Sequence, residues 1–300
     1  MEAWIPITIF AAFCQNARTA MQKYLKGRLS TGGATYVRFI YGAPFAFIYV
    51  LALNNFGGFS TPTPNANFAG FVALGGISQI LATGLLLALF SLKNFAVATT
   101  YSKTETVQAA VFGIVILGEH VGSGAVLAIA VSFFGILLIS MSSSSFGFRE
   151  FLSSWTSKTA AFGLLSGALF GISAVSYRAA ALSLGGEGVV MQAAFTLVCV
   201  LFFQTLVMGV YLRLREPGEI SRVLGAWRIA IVVGLTGMLG SAGWFTAMTL
   251  QNAAYVRALG QVELVFTFIA SYFYFKEKTN RIEAAGILFI IGGILLLLLD

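Results

Sequence analysis

Residues 102–119 read SKTETVQAAVFGIVILGE, and residues 260–277 read GQVELVFTFIASYFYFKE. At an offset of 158 these two stretches bring Glu105 onto Glu263, Val107 onto Val265 and Glu119 onto Glu277. Further out, Asn94 falls on Asn252, Ala96 on Ala254, and the run GILL from Gly135 on the GILL from Gly293. Toward the start of each half the trace weakens to Phe13 near Phe170, at an offset of 157. Apolar matches mean little in an apolar chain, but only 11 of the 300 residues are Asp or Glu, so repeated glutamates at one offset mark an internal duplication.

The surroundings of the repeat say what kind of protein holds it. Hydrophobic residues make up 58% of the chain and charged ones 10%, with a mean hydropathy of +0.88. A soluble domain carries about 25% charge, so this chain has too little polar surface to wrap a water-facing globule. Disorder, coiled coil and nucleic-acid binding are excluded with it, and the chain reads as an integral membrane protein. The net charge of +7 is to be read by position, because Lys and Arg mark cytoplasmic loops. Cys14 and Cys199 lie far apart in apolar segments, and no disulfide framework is indicated.

A hydrocarbon core of about 30 Å takes about 20 helical residues. Ten segments of that size occur, at 3–23, 33–53, 68–90, 95–117, 122–141, 159–182, 188–211, 227–249, 254–275 and 281–299. The first is read as a retained span rather than a cleavable signal, since no basic region precedes it. The expected organisation is a first five-helix repeat over 1–142, a cytoplasmic linker over 143–158, and a second five-helix repeat over 159–300. Thirteen bases fall on alternate connections, from Lys23, Lys26 and Arg28 through Lys93, Arg149 and Lys158 to the Arg-rich stretch 213–228 and Lys276, Lys278 and Arg281. The opposite connections hold none, only stretches such as NNFGGFSTPTPNAN, Glu119 and Glu187. Both termini are therefore expected outside, in a multi-pass plasma (inner) membrane protein.

An odd number of spans per copy forces the second copy to be inverted, and inverted repeats generate alternating access around one midplane site. The expected fold class is all-α, ten transmembrane helices in two inverted five-helix repeats. With Gly118-Glu119 closing span four and Lys276-Glu277 closing span nine, the chain resembles the drug/metabolite transporter superfamily. Within it, the chain is most similar to the ten-helix EamA-type permeases, including YddG-type amino-acid and metabolite exporters. The resemblance covers nearly the whole chain. It implies that spans one, three, four, six, eight and nine surround a central cavity, and that transport runs outward.

Charge at bilayer depth is costly unless paired or hydrated, so each such residue is a functional candidate. Seven occur: Arg18, Arg38, Lys103, Glu105, Arg178, Arg257 and Glu263. Glu105 and Glu263 lie nearest the midplane, while Arg18, Arg178 and Arg257 lie near segment ends and are expected to snorkel. On a continuous helix four, Tyr101, Glu105 and Gln108 share one face and Thr99, Lys103 and Thr106 nearly the opposite one, which keeps that helix away from lipid. Helix nine matches it, with Arg257 and Gln261 on one side and Glu263 on another. A carboxylate at that depth can carry a proton and couple transport to the proton gradient. The structural alternative is a salt bridge to Arg38, Lys103 or Arg257.

Substrate contacts are expected from Gln15, Asn16, Gln79, Thr83, Thr99, Tyr101, Lys103, Tyr177, Trp244, Tyr255, Arg257 and Gln261. Interhelical hydrogen bonding is the alternative for each neutral one. Gly163, Gly167 and Gly171 on helix six, like Gly124, Ala128 and Ser132 on helix five, suit close packing. Gly234, Gly237, Gly240 and Gly243 on helix eight, and Pro44 on helix two, suit bending.

An enzyme would need chemistry that is missing. The chain has one His, His120, one Asp, Asp300, and no HExxH, CxxC, GxSxG or Walker pattern. No cofactor or metal is expected, and a channel lacks a filter sequence. The reading is a secondary active transporter, exporting amino acids or similar zwitterions or anions, with protons as a coupling partner through Glu105 or Glu263, and working as a monomer. Multidrug, lipid-linked-sugar or sugar-phosphate transport on the same fold is the alternative.

Overall fold

The computed structural model describes residues 2–25, 27–89, 102–143, 158–186, 188–269 and 280–299. Among these, all regular structure is helical. Helices α1 (Trp4–Leu25), α2 (Thr31–Gly57), α3 (Ala66–Leu89), α4 (Glu105–Leu117) and α5 (Ser123–Ser143) occupy the first repeat. The second holds α6 (Lys158–Ser183), α7 (Val189–Arg215), the short α8 (Glu219–Gly225), α9 (Trp227–Leu250), α10 (Ala253–Leu259), α11 (Val262–Ile269) and α12 (Arg281–Leu299). Seven of the described helices, α2, α3, α5, α6, α7, α9 and α12, are long and apolar enough to cross a membrane. Helix α1 falls in the first predicted span but carries Gln15, Asn16, Arg18, Gln22 and Lys23, which lower its hydropathy. Most of the predicted linker, residues 144–157, lies outside the described residues, as do Lys93, Lys276, Lys278, Glu187 and Glu277.

Two spans depart from the expected continuous helices. In span four, Lys103 and Thr104 form a turn before α4 starts at Glu105; in span nine, Gly260 and Gln261 form a turn between α10 and α11. At the repeat offset, 103–104 falls on 261–262, so the turn that precedes Glu105 lies within one residue of the one that precedes Glu263. The physical reason lies in the acid on the C-terminal side of each turn. Glu105 and Glu263 stand in the first turn of the next helix, where the positive end of the helix dipole favours a carboxylate. The helical-wheel faces drawn through Lys103 and Glu105, and through Gln261 and Glu263, therefore do not apply across the turns.

By Cα packing the described chain divides into two compact units. The first comprises Met1–Ile80 and Ser173–Asn252, the second Leu81–Ile172 and Ala253–Asp300. Each thus draws on both repeats.

In the first unit α9 is unbroken, and its glycines are a packing seam rather than the expected bend. A Cβ on Gly234 would meet Tyr41 Cβ at 2.5 Å, one on Gly243 would meet Ala11 Cβ at 2.8 Å, and one on Gly240 would meet Cys14 Cβ at 3.3 Å. The bare face of α9 is what admits α1 and α2. Helix α2 likewise runs as one helix through Pro44, from a Ser30 cap that accepts a hydrogen bond from Gly33 N to Gly58 at φ +69°.

In the second unit α5 and α12 meet through small residues. A Cβ on Gly135 would come 2.5 Å from Gly286 O and 2.9 Å from Ile290 Cγ1, and one on Gly293 would come 2.7 Å from Ala128 O and 2.8 Å from Ser132 N. At the offset of 158, Gly135 becomes Gly293, while Gly286 and Ile290 become Ala128 and Ser132. The contacts exchange, as two copies related by a two-fold axis require. Gly167 and Gly171 of α6 also serve close contact, the first against Ser102 and Thr104, the second against Ala109 and Phe112.

Candidate functional site

Four charged residues of the second unit, Lys103, Glu105, Arg257 and Glu263, gather at the two turns. Lys103, in the turn before α4, pairs with Glu263 at the start of α11. Arg257 of α10 places Nε 2.9 Å from Glu105 Oε1 at the start of α4. All four side chains are largely shielded, between 13% and 25% exposed. Each acid thus takes a base from the other repeat and also faces the amide end of its own helix. The cluster holds two acids and two bases, so it is neutral as a whole.

Neutral polar side chains hold the same place together. Gln261, in the α10–α11 turn, donates from Nε2 to Thr106 Oγ1 at 3.1 Å. Ser102 Oγ lies 3.5 Å from Ser166 Oγ, whose hydroxyl donates to Ala82 O at 3.0 Å. Gln108 donates to Leu164 O at 3.4 Å. Ser102, Thr104, Thr106 and Gln261 are all buried. Gly167 lets α6 approach the first interruption, since a Cβ there would lie 2.8 Å from Thr104 Oγ1. Tyr255 accepts from Gly122 N at 3.1 Å, ahead of α5. Thr99 and Tyr101, also expected at the site, lie outside the described residues.

In the first unit, polar side chains of α1, α2 and α9 meet. Trp244 of α9 donates its indole N–H to Gln15 Oε1 of α1 at 3.0 Å. One turn of α9 away, Arg38 donates to Ser241 Oγ at 3.3 Å. The stem of Arg18 runs over Gly237, where a Cβ would come within 3.2 Å of its Cδ. Asn16 and Thr83 are half-buried on α1 and α3, Asn16 in the first unit and Thr83 in the second.

Tyr177 and Gln79 belong to one hydrogen-bonded network. The Tyr177 hydroxyl lies 3.0 Å from Gly75 O and 3.1 Å from Gln79 Oε1, and the ring stacks on Phe245 at 4.5 Å between centroids. Gln204 of α7 completes it, donating to Gln79 Oε1 at 2.9 Å and reaching Gly76 O at 3.3 Å. Tyr177 and Gln204 are essentially inaccessible, at 1% and 0% exposure.

Arg178 also departs from the expectation that it snorkels. Its Nη1 donates to the carbonyls of Met248, Thr249 and Gln251 at 2.5, 3.3 and 2.8 Å, and its Nη2 to Asn252 Oδ1 at 3.2 Å. The last carbonyls of α9 have no partner within their own helix and carry the negative end of its dipole. A guanidinium with several N–H donors satisfies them at once. Arg257 departs in the same way, held by Glu105 instead of reaching for the membrane surface.

Comparison with known sequences now fixes the family. The profile of the EamA-like transporter family matches residues 3–141 and, a second time, residues 157–299. This chain belongs to the EamA-like transporter family. It is accordingly a multi-pass membrane transporter of small molecules with a duplicated domain. Twenty-eight chains of solved structures match it. One of them, a protein known from a crystal structure, aligns at a TM-score of 0.72 and 14% identity over 99% of this chain and 96% of its own, a likeness of fold alone. No curated protein matches.

Two groups of residues in this EamA-like transporter escaped the sequence reading. Gln204 is an amide in the apolar run of α7, and a polar side chain in such a run signals an interhelical bond. The interruptions had a signal too: Gly260 followed by Glu263, and Thr104 before Glu105, are the marks of a helix start inside a span.

Proposed function

We propose that this transporter is a secondary active exporter of small zwitterions, amino acids first, working by alternating access of two inverted five-helix repeats. In this reading all ten segments cross the plasma (inner) membrane, both termini lie outside, and the monomer is the working unit. The observation that supports it is the exchange of charges between repeats, Lys103 with Glu263 and Arg257 with Glu105. An amino acid carries the same two groups as these pairs. Its carboxylate can take the place of a glutamate at Lys103 or Arg257, and its ammonium the place of a base at Glu105 or Glu263. A neutral cluster accepts a zwitterion without leaving charge uncompensated, whereas a dianion would leave net charge in a place where charge is costly. Within the second unit the proposed substrate contacts are Lys103, Arg257 and Gln261.

Proton coupling rests on the same chemistry. A glutamate that loses its cationic partner during the cycle is a carboxylate at bilayer depth, and taking up a proton relieves its charge. Glu105 and Glu263 are the proposed carriers. Tyr177 and Gln79, whose hydrogen bonds are made within the protein, are assigned to bracing α3, α6 and α7 rather than to substrate.

The deciding experiment is counterflow in proteoliposomes with a panel of labelled amino acids, a sugar phosphate and a cationic dye. Exchange of amino acids above empty liposomes supports the proposal. Exchange restricted to the dye or the phosphate replaces the substrate class with multidrug or sugar-phosphate transport on the same fold.

A further inference from the structure

We propose that the connection between α7 and α9 is a binding surface for the headgroups of anionic phospholipids. The segment from Arg213 to Arg228 contains four arginines and two glutamates. Both acids face Ser30, Glu219 buried and Glu216 half-buried. Glu219, 3% exposed, accepts from Ser30 N at 2.6 Å, and Glu216 accepts from the Ser30 hydroxyl, so the two carboxylates are used at the N-terminus of α2. The arginines are turned outward. Arg213 and Arg215 end α7 and Arg228 opens α9, all three exposed, and no acid partner of any of them is found among the described residues. Arg222 alone keeps a contact with Glu219, at 3.1 Å.

Apolar side chains are exposed between these bases. Leu214 is 73% exposed, Leu224 and Trp227 about half, and the Arg228 guanidinium lies 5.5 Å from the Trp227 ring centroid. Leucine and tryptophan interleaved with arginine at the end of two membrane helices suit the boundary between acyl chains and headgroups, with the apolar groups seated in the one and the guanidiniums on the phosphates of the other. The dipole of α7 and the general bias of bases to one side account for arginines here, but not for the removal of both acids from the outer face. That removal converts a mixed-charge connection into a cationic one, and an anionic headgroup is the chemistry that complements it.

The test uses the purified, delipidated full-length chain in mild detergent, titrated with phosphatidylglycerol or with phosphatidylcholine of the same acyl chains, and bound lipid counted by native mass spectrometry. The wild type is expected to retain phosphatidylglycerol at least tenfold better, at about fivefold for each arginine near a phosphate. The R213Q/R215Q/R228Q variant is expected to lose most of that preference, while Arg281→Gln, a base on a different connection, keeps it. Circular dichroism and the thermal midpoint of the triple variant check that it is folded, and the corresponding triple Arg→Lys variant, which keeps the charge, is expected to retain part of the preference. No preference in the wild type, full preference in a folded triple Gln variant, or abolition of the preference by millimolar inorganic phosphate would each overturn the proposal, the last by making free phosphate the ligand.

Discussion

Lys103 and Glu263 form an ion pair across 160 positions of sequence, the base in the turn that interrupts one copy of the repeat and the acid on the first turn of a helix in the other. Removing one partner leaves the other charged in a shielded site, which costs about 3–5 kcal/mol at full burial. Because Lys103 is 25% exposed, Lys103→Met or Glu263→Gln is expected to destabilise by about 1–3 kcal/mol, discounted for that access. The double variant is expected to be more stable than either single. Thermal unfolding of the four proteins in one detergent gives the coupling, and additive losses would show that the two side chains do not act as a pair.

The two glutamates are expected to separate exchange from coupling. In proteoliposomes, Glu105→Gln or Glu263→Gln, each of which leaves the other carboxylate for the substrate's ammonium, should keep counterflow, which needs no net driving force, while accumulation against a gradient under an imposed pH difference falls toward the gradient-free level. Unchanged accumulation and unchanged pH dependence in both single variants would remove protons from the mechanism and leave the glutamates as structural ion pairs.

Arg178 closes the end of α9 with three carbonyl contacts and one to Asn252. Hydrogen bonds to a charged group contribute about 1.5–3 kcal/mol each at most, and they share one guanidinium here, so Arg178→Gln is expected to cost about 2–4 kcal/mol. Arg178→Lys should recover only part, since a compact ammonium cannot span the same set of carbonyls. A midpoint that stays put in Arg178→Gln would mean that water caps the helix as well as the guanidinium does.

What the sequence disclosed and what it hid divide along a physical line. The duplication was legible because glutamates are rare in this chain, and Glu105 on Glu263 survives any amount of apolar drift. The membrane class came from composition, and the small-residue contacts of α5 and α6 came from spacing. The interruptions of spans four and nine were not seen, since hydropathy averages over a window longer than a two-residue turn. The partners of Arg178 and Arg257 were hidden for a different reason. Their positions near segment ends permit snorkelling, and only tertiary packing brings the end of α9 to Arg178 or Glu105 to Arg257. Gln204 shows the same limit in reverse, because its place in an apolar run marks it as bonded without saying to what.

The α5–α12 contact gives a test of the repeat register that does not depend on transport. Gly135 and Gly286 face each other so closely that a Cβ on either would lie 2.5–2.7 Å from the carbonyl oxygen of the other, and backbone cannot yield as a flexible side chain can. Gly135→Ala and Gly286→Ala are each expected to destabilise by about 1–3 kcal/mol through overpacking. Gly292, on the same α12, meets nothing within 4 Å, and Gly292→Ala should be neutral or slightly stabilising, by up to about 1 kcal/mol from helix propensity. Exchange at the offset of 158 places Gly293 where Gly135 stands, so Gly293→Ala should be as costly as Gly135→Ala. Thermal midpoints of the four variants decide the matter: a tolerated Gly293→Ala beside a damaging Gly135→Ala would break the symmetry that the contacts imply.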